Sequence, residues 1–339
     1  MNNNNKKNNI PAYRTPEQLP QEKQPRSISL EDLLNKPIKP REHLIMPWLR
    51  QGESAMIYAP PGVGKSLFAL SMAIAVAGGG KLLDCWQAPK ARRVMYIDGE
   101  MPLDDIRERA AMLLPASGGD AATARNNIHI SARQFQHSGV TFTDLTNEAS
   151  RETLIEQAKK GRVDLVILDN LSTLATIEDE NAASAFNAPI SFLLRLKQEG
   201  LACLLVHHSS KGGESYRGSS KIATTFEAII KLEKSTRPTD NNNSTTSFKL
   251  SWEKLRGKRD KTTSSALDVF LEPCPFDDER SKLNLGRQRV HKTKAAYICA
   301  GGVNPQKTNA LSVCLRCSGR ANAPARKNWP RPWIALSPP

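Results

Sequence analysis

Ala59-Pro60-Pro61-Gly62-Val63-Gly64-Lys65-Ser66 is the stretch on which the reading of this chain turns. A short apolar run, Ala55 to Ala59, precedes it, and a longer one, Ser66 to Ala77, follows. A strand, a glycine turn and a helix in that order gather backbone N–H groups at a helix N-terminus, where anions bind. Gly62 and Gly64 let those groups turn inward around phosphate oxygens. Lys65 has the reach to meet the β- and γ-phosphates, and the Ser66 hydroxyl suits magnesium. The spacing is that of a Walker A loop with alanine in place of its first glycine. It implies ATP and Mg2+ as ligands, with the residues from Ala59 to Leu67 around the phosphates.

Outward from the loop, strands alternate with helices. Val94 to Ile97, Ile128 to Ile130, Leu165 to Leu168 and Leu201 to Val206 predict strands. Ser66 to Ala77, Asp104 to Leu114, Asn147 to Lys160 and Ala182 to Gln198 predict helices, the first closed by Gly78, Gly79 and Gly80. Such alternation predicts an α/β fold, with a mostly parallel central sheet and helices on both faces. After residue 225 the pattern changes: Glu227 to Glu233, Thr246 to Trp252 and Ala266 to Leu271 predict antiparallel strands at one edge. Residues 27–279 are expected to form this domain. Residues 1–26, rich in Asn, Gln, Pro and Lys, predict disorder. Ser27 to Leu34 predicts a short helix with Ser29 as its N-cap, ended by Pro37 and Pro40.

Carboxylates at strand ends carry the chemistry. Leu165-Val-Ile-Leu-Asp169 delivers an acid to the end of a buried strand, where Asp169 holds magnesium through water. Tyr96-Ile-Asp-Gly-Glu100 offers Glu100 to orient and deprotonate the attacking water, with Asp98 as rival and Gly99 giving the chain freedom to turn. His207 and His208 end another apolar strand, either able to contact the γ-phosphate. Arg217 lies in a glycine-rich polar loop and suits transition-state charge in a neighbouring subunit, or a nucleic-acid phosphate. Lys254 and Arg256, two apart, are a second candidate for that finger in trans. Cys314-Leu-Arg-Cys317 is a lone CxxC and a weak metal signal.

Composition narrows the class. The net charge is +14, but from Arg280 to the end there are 12 Lys and Arg and no acid. The first 279 residues carry 36 basic and 34 acidic side chains, so they are nearly neutral. The tail, 280–339, reads as disordered, either a basic DNA-binding arm or an end with no selected fold. Scattered cysteines, no secretory signal and no apolar run near the roughly 20 residues of a membrane span predict a reduced, cytoplasmic protein without membrane contact.

The order of these motifs, and above all His207-His-Ser-Ser-Lys-Gly212 followed by Arg217-Gly-Ser-Ser220, resembles the hexameric plasmid replicative helicase RepA-like family of RecA/DnaB-like P-loop ATPases. The lead-in Pro40-Arg-Glu-His-Leu44 is similar too, and the resemblance covers roughly residues 28 to 260. It implies a RecA-like fold and ATP hydrolysis at the subunit interfaces of a homo-oligomeric ring, with single-stranded DNA in the channel. A replication initiator or primase is the implied protein partner. By position it gives Lys65 and Ser66 the phosphate and magnesium, Glu100 the catalytic role, Asp169 the Walker B role, the histidine pair the sensor and Arg217 the finger. A strand-annealing or recombination ATPase and a KaiC-like regulatory ATPase remain alternatives.

Overall fold

A computed structural model describes residues 25–273 and 296–300, except 84, 178–182, 211–212, 214, 219, 236–245 and 258. Cys314 and Cys317, most of the basic tail and nearly all of the Asn-rich start therefore lie outside the described residues. The chain divides into two compact units, Met1–Pro40 and Arg41–Pro339. The first carries helix α1 (Leu30–Asn35), whose N-terminus is capped where expected: the Ser29 hydroxyl accepts from Asp32 N at 3.0 Å and donates to the Asp32 carboxylate at 2.6 Å.

The second unit is built on a large sheet. Its strands are β3 (Ser54–Ala59), β6 (Val94–Asp98), β7 (Ile128–Ala132), β8 (Leu165–Asp169), β9 (Ala202–His208), β10 (Ala228–Lys234), β11 (Thr246–Leu255), β12 (Leu267–Pro273) and β13 (Ala296–Ala300). Two small antiparallel pairs accompany it, β1 (His43–Ile45) with β2 (Leu49–Arg50) and β4 (Lys81–Leu82) with β5 (Trp86–Gln87). The order across the sheet is β13-β12-β11-β10-β3-β9-β8-β6-β7. From β10 to β7 every pairing is parallel. β11, β12 and β13 extend the β10 side antiparallel. The loop strand β3 and the Asp169 strand β8 are thus separated by β9, and the fold is that of an α/β, RecA-like P-loop NTPase.

Alternation sorts the strand residues between two cores. Ala55, Ile57, Val94, Tyr96, Leu165, Ile167, Leu204 and Val206 pack with α2 (Lys65–Gly78), with Leu113 of α3 (Leu103–Leu113) and with Ala124 of α4 (Ala121–Asn127). Met56, Tyr58, Ile97, Val166, Leu168, Cys203 and Leu205 face α5 (Glu148–Lys160), α6 (Leu171–Leu174) and α7 (Asn187–Gln198). Helix α2 is buried along nearly its whole length, which explains why its sequence is apolar on all sides. Gly79, left-handed at φ 67°, closes it by donating to Ala75 O.

Three expectations need correction. β10 pairs parallel with β3, so the antiparallel extension begins one strand later, at β11. Ala296–Ala300, within the segment read as a disordered tail, forms the strand β13 on β12. Residues 183–186, read as the start of α7, form a separate 3-10 turn.

Candidate active site

The parallel strands all deliver their C-terminal ends to one side, and the candidate side chains collect there. β3 runs into the loop 59–66, where Gly62 (φ 77°) and Gly64 (φ 120°) both lie at positive φ. A Cβ on Gly64 would also meet the Phe248 ring of β11 at 2.9 Å, so glycine is required there on two counts. Phe248 itself is buried and supports the loop from below. It is the first of three site residues that motif reading missed.

Lys65 is buried, and its Nζ donates to Ala59 O and Pro60 O, each at 3.0 Å. Burial lowers its pKa, with Asp169 and Glu100 opposing. An ammonium buried on neutral carbonyls retains attraction for an anion, so this cradle fits a polyphosphate. Asp169 is also buried. Burial raises its pKa, opposed by hydrogen bonds from Tyr96 and Ser66 and by the charge of Lys65. The Ser66 hydroxyl and the Asp169 carboxylate are thus joined, a hard-oxygen pair of the kind that holds Mg2+ beside substrate phosphates. Among the described residues no group of three His, Cys, Asp or Glu side chains is placed to hold a metal ion. Magnesium, which needs only one or two protein oxygens when phosphates supply the rest, suits such a site.

The Tyr96 hydroxyl, fully buried, donates to Asp169 Oδ2 at 2.7 Å. It is the second missed residue. Its partnership depends on β6 and β8 being parallel neighbours with Asp98 opposite Asp169. A tyrosine inside an apolar strand carries no mark of that.

Asp98 and Glu100 play different parts. Asp98 ends β6, buried, and accepts from Glu100 N at 2.8 Å and Met101 N at 2.6 Å, while its Oδ2 has no partner. Glu100 is exposed, and its Oε2 accepts from Asn170 Nδ2 at 2.7 Å. The role expected of Gly99 is corrected. Its φ is not positive, and a Cβ there would lie 2.2 Å from Thr173 Oγ1. Gly99 permits close approach of the β6 turn to α6, with Gly99 N donating to Asp169 O at 2.7 Å.

Burial pushes the Asp98 carboxyl up to about 6 from its ordinary 3.8. The folded chain therefore holds this proton more tightly than the unfolded one. Ionising Asp98 therefore carries a stability cost, and this cost is absent below about pH 4 and full above about pH 6. Asp98→Asn is expected to raise the melting temperature by a few degrees at pH 7.5, each kcal/mol being worth ~2–4 °C in a domain of this size. The gain should vanish at pH 4. Thermal melts of both proteins across that range check it, and a gain that persists at pH 4 contradicts it.

The two histidines end β9 on opposite faces. His208 shares its side of the sheet with Val206 and Leu204, facing α2 and the loop, and is partly buried. Burial, then Lys65, lowers its pKa. His207 faces the other way, buried, with its pKa pushed down by burial to about 4. Its Nε2 donates to Arg217 O at 2.8 Å. Arg217 N in turn donates to His208 O at 2.9 Å, and Ser209 bridges antiparallel to Tyr216. Residues 208–210 and 215–217 thus pair as two antiparallel arms. Tyr216 stacks edge-on against Tyr58 of β3, with ring centroids 5.7 Å apart.

Lys254 and Arg256 lie elsewhere. Leu255 pairs with Ala228, which pairs with Ala55, so both residues sit at the start of β3. The loop is at its other end, roughly 13 Å further along the strand. Lys254 is the last residue but one of β11, Arg256 lies just beyond the strand, and they donate to Ala223 O at 2.7 Å and Thr224 O at 3.1 Å. Arg256, beyond the end of β11, is directed by the Thr224 carbonyl and not by strand alternation.

A family model described as an AAA domain (AAA_25) matches residues 16–214, more than half of the chain. The chain belongs to this AAA domain family. Among solved structures it is similar to the KaiC-like protein PH0186 of the hyperthermophilic archaeon Pyrococcus horikoshii OT3. The identity is 13% and the TM-score 0.45, over 68% of this chain and 94% of that one. Family and site together make the chain a P-loop ATPase. Among the described residues no helix is long and apolar enough to cross a membrane.

Proposed function

We propose that this ATPase is a ring-forming, DNA-dependent motor, a RepA-like replicative helicase of a plasmid or other mobile element, probed most directly through the hairpin arms 208–210 and 215–217. The supporting observation is that the hairpin is hydrogen-bonded at its base to both histidines, one facing the phosphate loop and one facing away. A change at His208 on hydrolysis is passed along the backbone to His207 and so to Arg217. That is the linkage by which a nucleotide site moves a DNA-contacting loop. In the chemical step Glu100 accepts a proton from water as its oxygen bonds the γ-phosphorus and the bond to the bridging oxygen of ADP breaks. Lys65 would hold the phosphates, and Ser66 and Asp169 would hold magnesium, which would supply neutralisation of charge on the phosphate oxygens.

Lys254 and Arg256, at the opposite end of the sheet from their own loop, serve the neighbouring subunit, and Arg217 stays with its own. Mixing Arg256→Ala subunits with Glu100→Gln subunits, each inactive alone, is expected to restore activity at about one interface in four of a randomly mixed ring. Mixing Arg217→Ala with Glu100→Gln should restore none. The opposite pattern, with assembly intact, reverses the two assignments. Unwinding itself is tested by ATP-dependent strand displacement on a forked duplex, with Lys65→Ala as control. Displacement is the expected result. Annealing without displacement selects the recombination reading, and indifference to DNA selects regulation through protein partners.

A further inference from the structure

Asn170, the residue after Asp169, has no place in the motifs, yet its side chain is 2% exposed and sits among the catalytic candidates. We infer that Asn170 is a positioning residue that holds the Glu100 carboxylate in its working orientation; the inference rests on reading Glu100 as the group that takes the proton from water.

The hydrogen bonds define one orientation of the amide. Asn170 is the N-cap of α6, and its Oδ1 accepts from Thr173 N at 3.3 Å. That leaves the NH2 group for Glu100 Oε2, and an ionised carboxylate can only accept. Both ends of the amide are thereby engaged, and the side chain has little freedom to release its partner.

Glu100 is exposed and would otherwise sample many rotamers. Its backbone is already framed: Asp98 accepts from its N–H at 2.8 Å, and Gln134 Nε2 donates to its C=O at 3.0 Å. Gly99 N, bonded to Asp169 O, ties the turn to the end of β8. What the frame leaves loose is the carboxylate, and Asn170 supplies the missing contact. The carboxylate it holds lies close enough to Lys65, Asp169 and His208 to act on their charges. Asn170, directly after Asp169 at the end of β8, therefore keeps the Glu100 carboxylate at this strand end. A general base displaced by about 1 Å can lose 10²-fold in rate, so the effect of such a contact falls on turnover and not on ATP affinity.

Asn170→Ser separates this role from the helix cap, because serine caps well but is too short to reach Glu100. The experiment is a double-mutant cycle on full-length protein, reading single-turnover ATP hydrolysis, KM for ATP and the thermal melt for wild type, Asn170→Ser, Glu100→Gln and the double variant. Asn170→Ser is expected to lower kcat about 10- to 100-fold, with KM within about threefold and the melt unchanged. In the Glu100→Gln background it should have no further effect, since the group it positions is gone. Asn170→Ser with wild-type or higher turnover overturns the proposal, as does an equal loss in both backgrounds. A wild-type rate for Glu100→Gln is a different failure, and it removes the underlying reading of Glu100. Asn170→Asp, equal in size and also a good cap, guards against a folding artefact: it must be at least as slow as Asn170→Ser, because it turns a donor into a repelling carboxylate.

Discussion

Glu100→Gln is expected to lower ATP turnover about 10²- to 10⁴-fold, the usual contribution of a positioned general base. ATP affinity should stay within a few-fold of wild type. The reason for the asymmetry is geometric. The groups that would hold the nucleotide, Lys65, Ser66 and the glycine loop, have their contacts within the loop, α2 and Asp169. Glu100 contributes from the neighbouring β6 turn and is bonded to Asn170 and Gln134, not to the loop. Removing its charge leaves the phosphate cradle in place and takes away the acceptor for the water proton. Asp98, the rival carboxylate, is committed to two backbone N–H groups and buried, so it cannot substitute. Rapid-quench hydrolysis together with nucleotide titration checks both halves of the expectation. Loss of affinity without loss of turnover would move Glu100 from catalysis to binding.

The largest expected effect on stability is at Trp86. Its ring lies edge-on to Trp48 and Trp252, with centroids 5.9 and 5.5 Å away, and those two lie 5.4 Å from each other. Its Nε1 donates to Thr262 Oγ1 at 2.8 Å. Trp48, Trp252 and Thr262, the last two far from it in sequence, therefore meet on one residue that is 1% exposed. Trp86→Ala should cost about 3–5 kcal/mol, because so rigid a setting collapses only partly into the cavity. At ~2–4 °C per kcal/mol the melting temperature falls by roughly 6–20 °C. A calorimetric scan without nucleotide is the measurement, and a shift within 2 °C, on the order of 1 kcal/mol or less, contradicts the packing described. The effect should extend to ATP binding, since Trp252 is four residues from Phe248, whose ring supports Gly64.

Much of this molecule could be read from its sequence because the decisive features are local. A strand, a glycine turn and a helix within 24 residues, from Ala55 to Gly78, announce the loop without knowledge of any partner. The apolar run before Asp169 and the one before His207 mark strands buried on both faces. What escaped reading depends on register and neighbours. Tyr96 reaches Asp169 only because β6 and β8 are adjacent and parallel. Asn170 reaches Glu100 across 70 residues, and an asparagine after an acid is ordinary loop sequence. Gly99 looked like a hinge and is a contact point, a distinction that turns on Thr173 being opposite it. The parallel direction of β10 was hidden for the same reason, since alternation reveals a strand but not which way its neighbour runs.

The proposed motor links its nucleotide site through His208, His207 and Arg217 to hairpin arms that would contact DNA. Its most direct test is the steady-state ATPase rate of the full chain with and without single-stranded DNA, with Lys65→Ala as the inactive control. A rise of about fivefold or more is expected, the low end of the usual range of coupling between two sites, and it should be lost in His207→Ala. An ATPase rate that single-stranded DNA leaves unchanged would contradict the account.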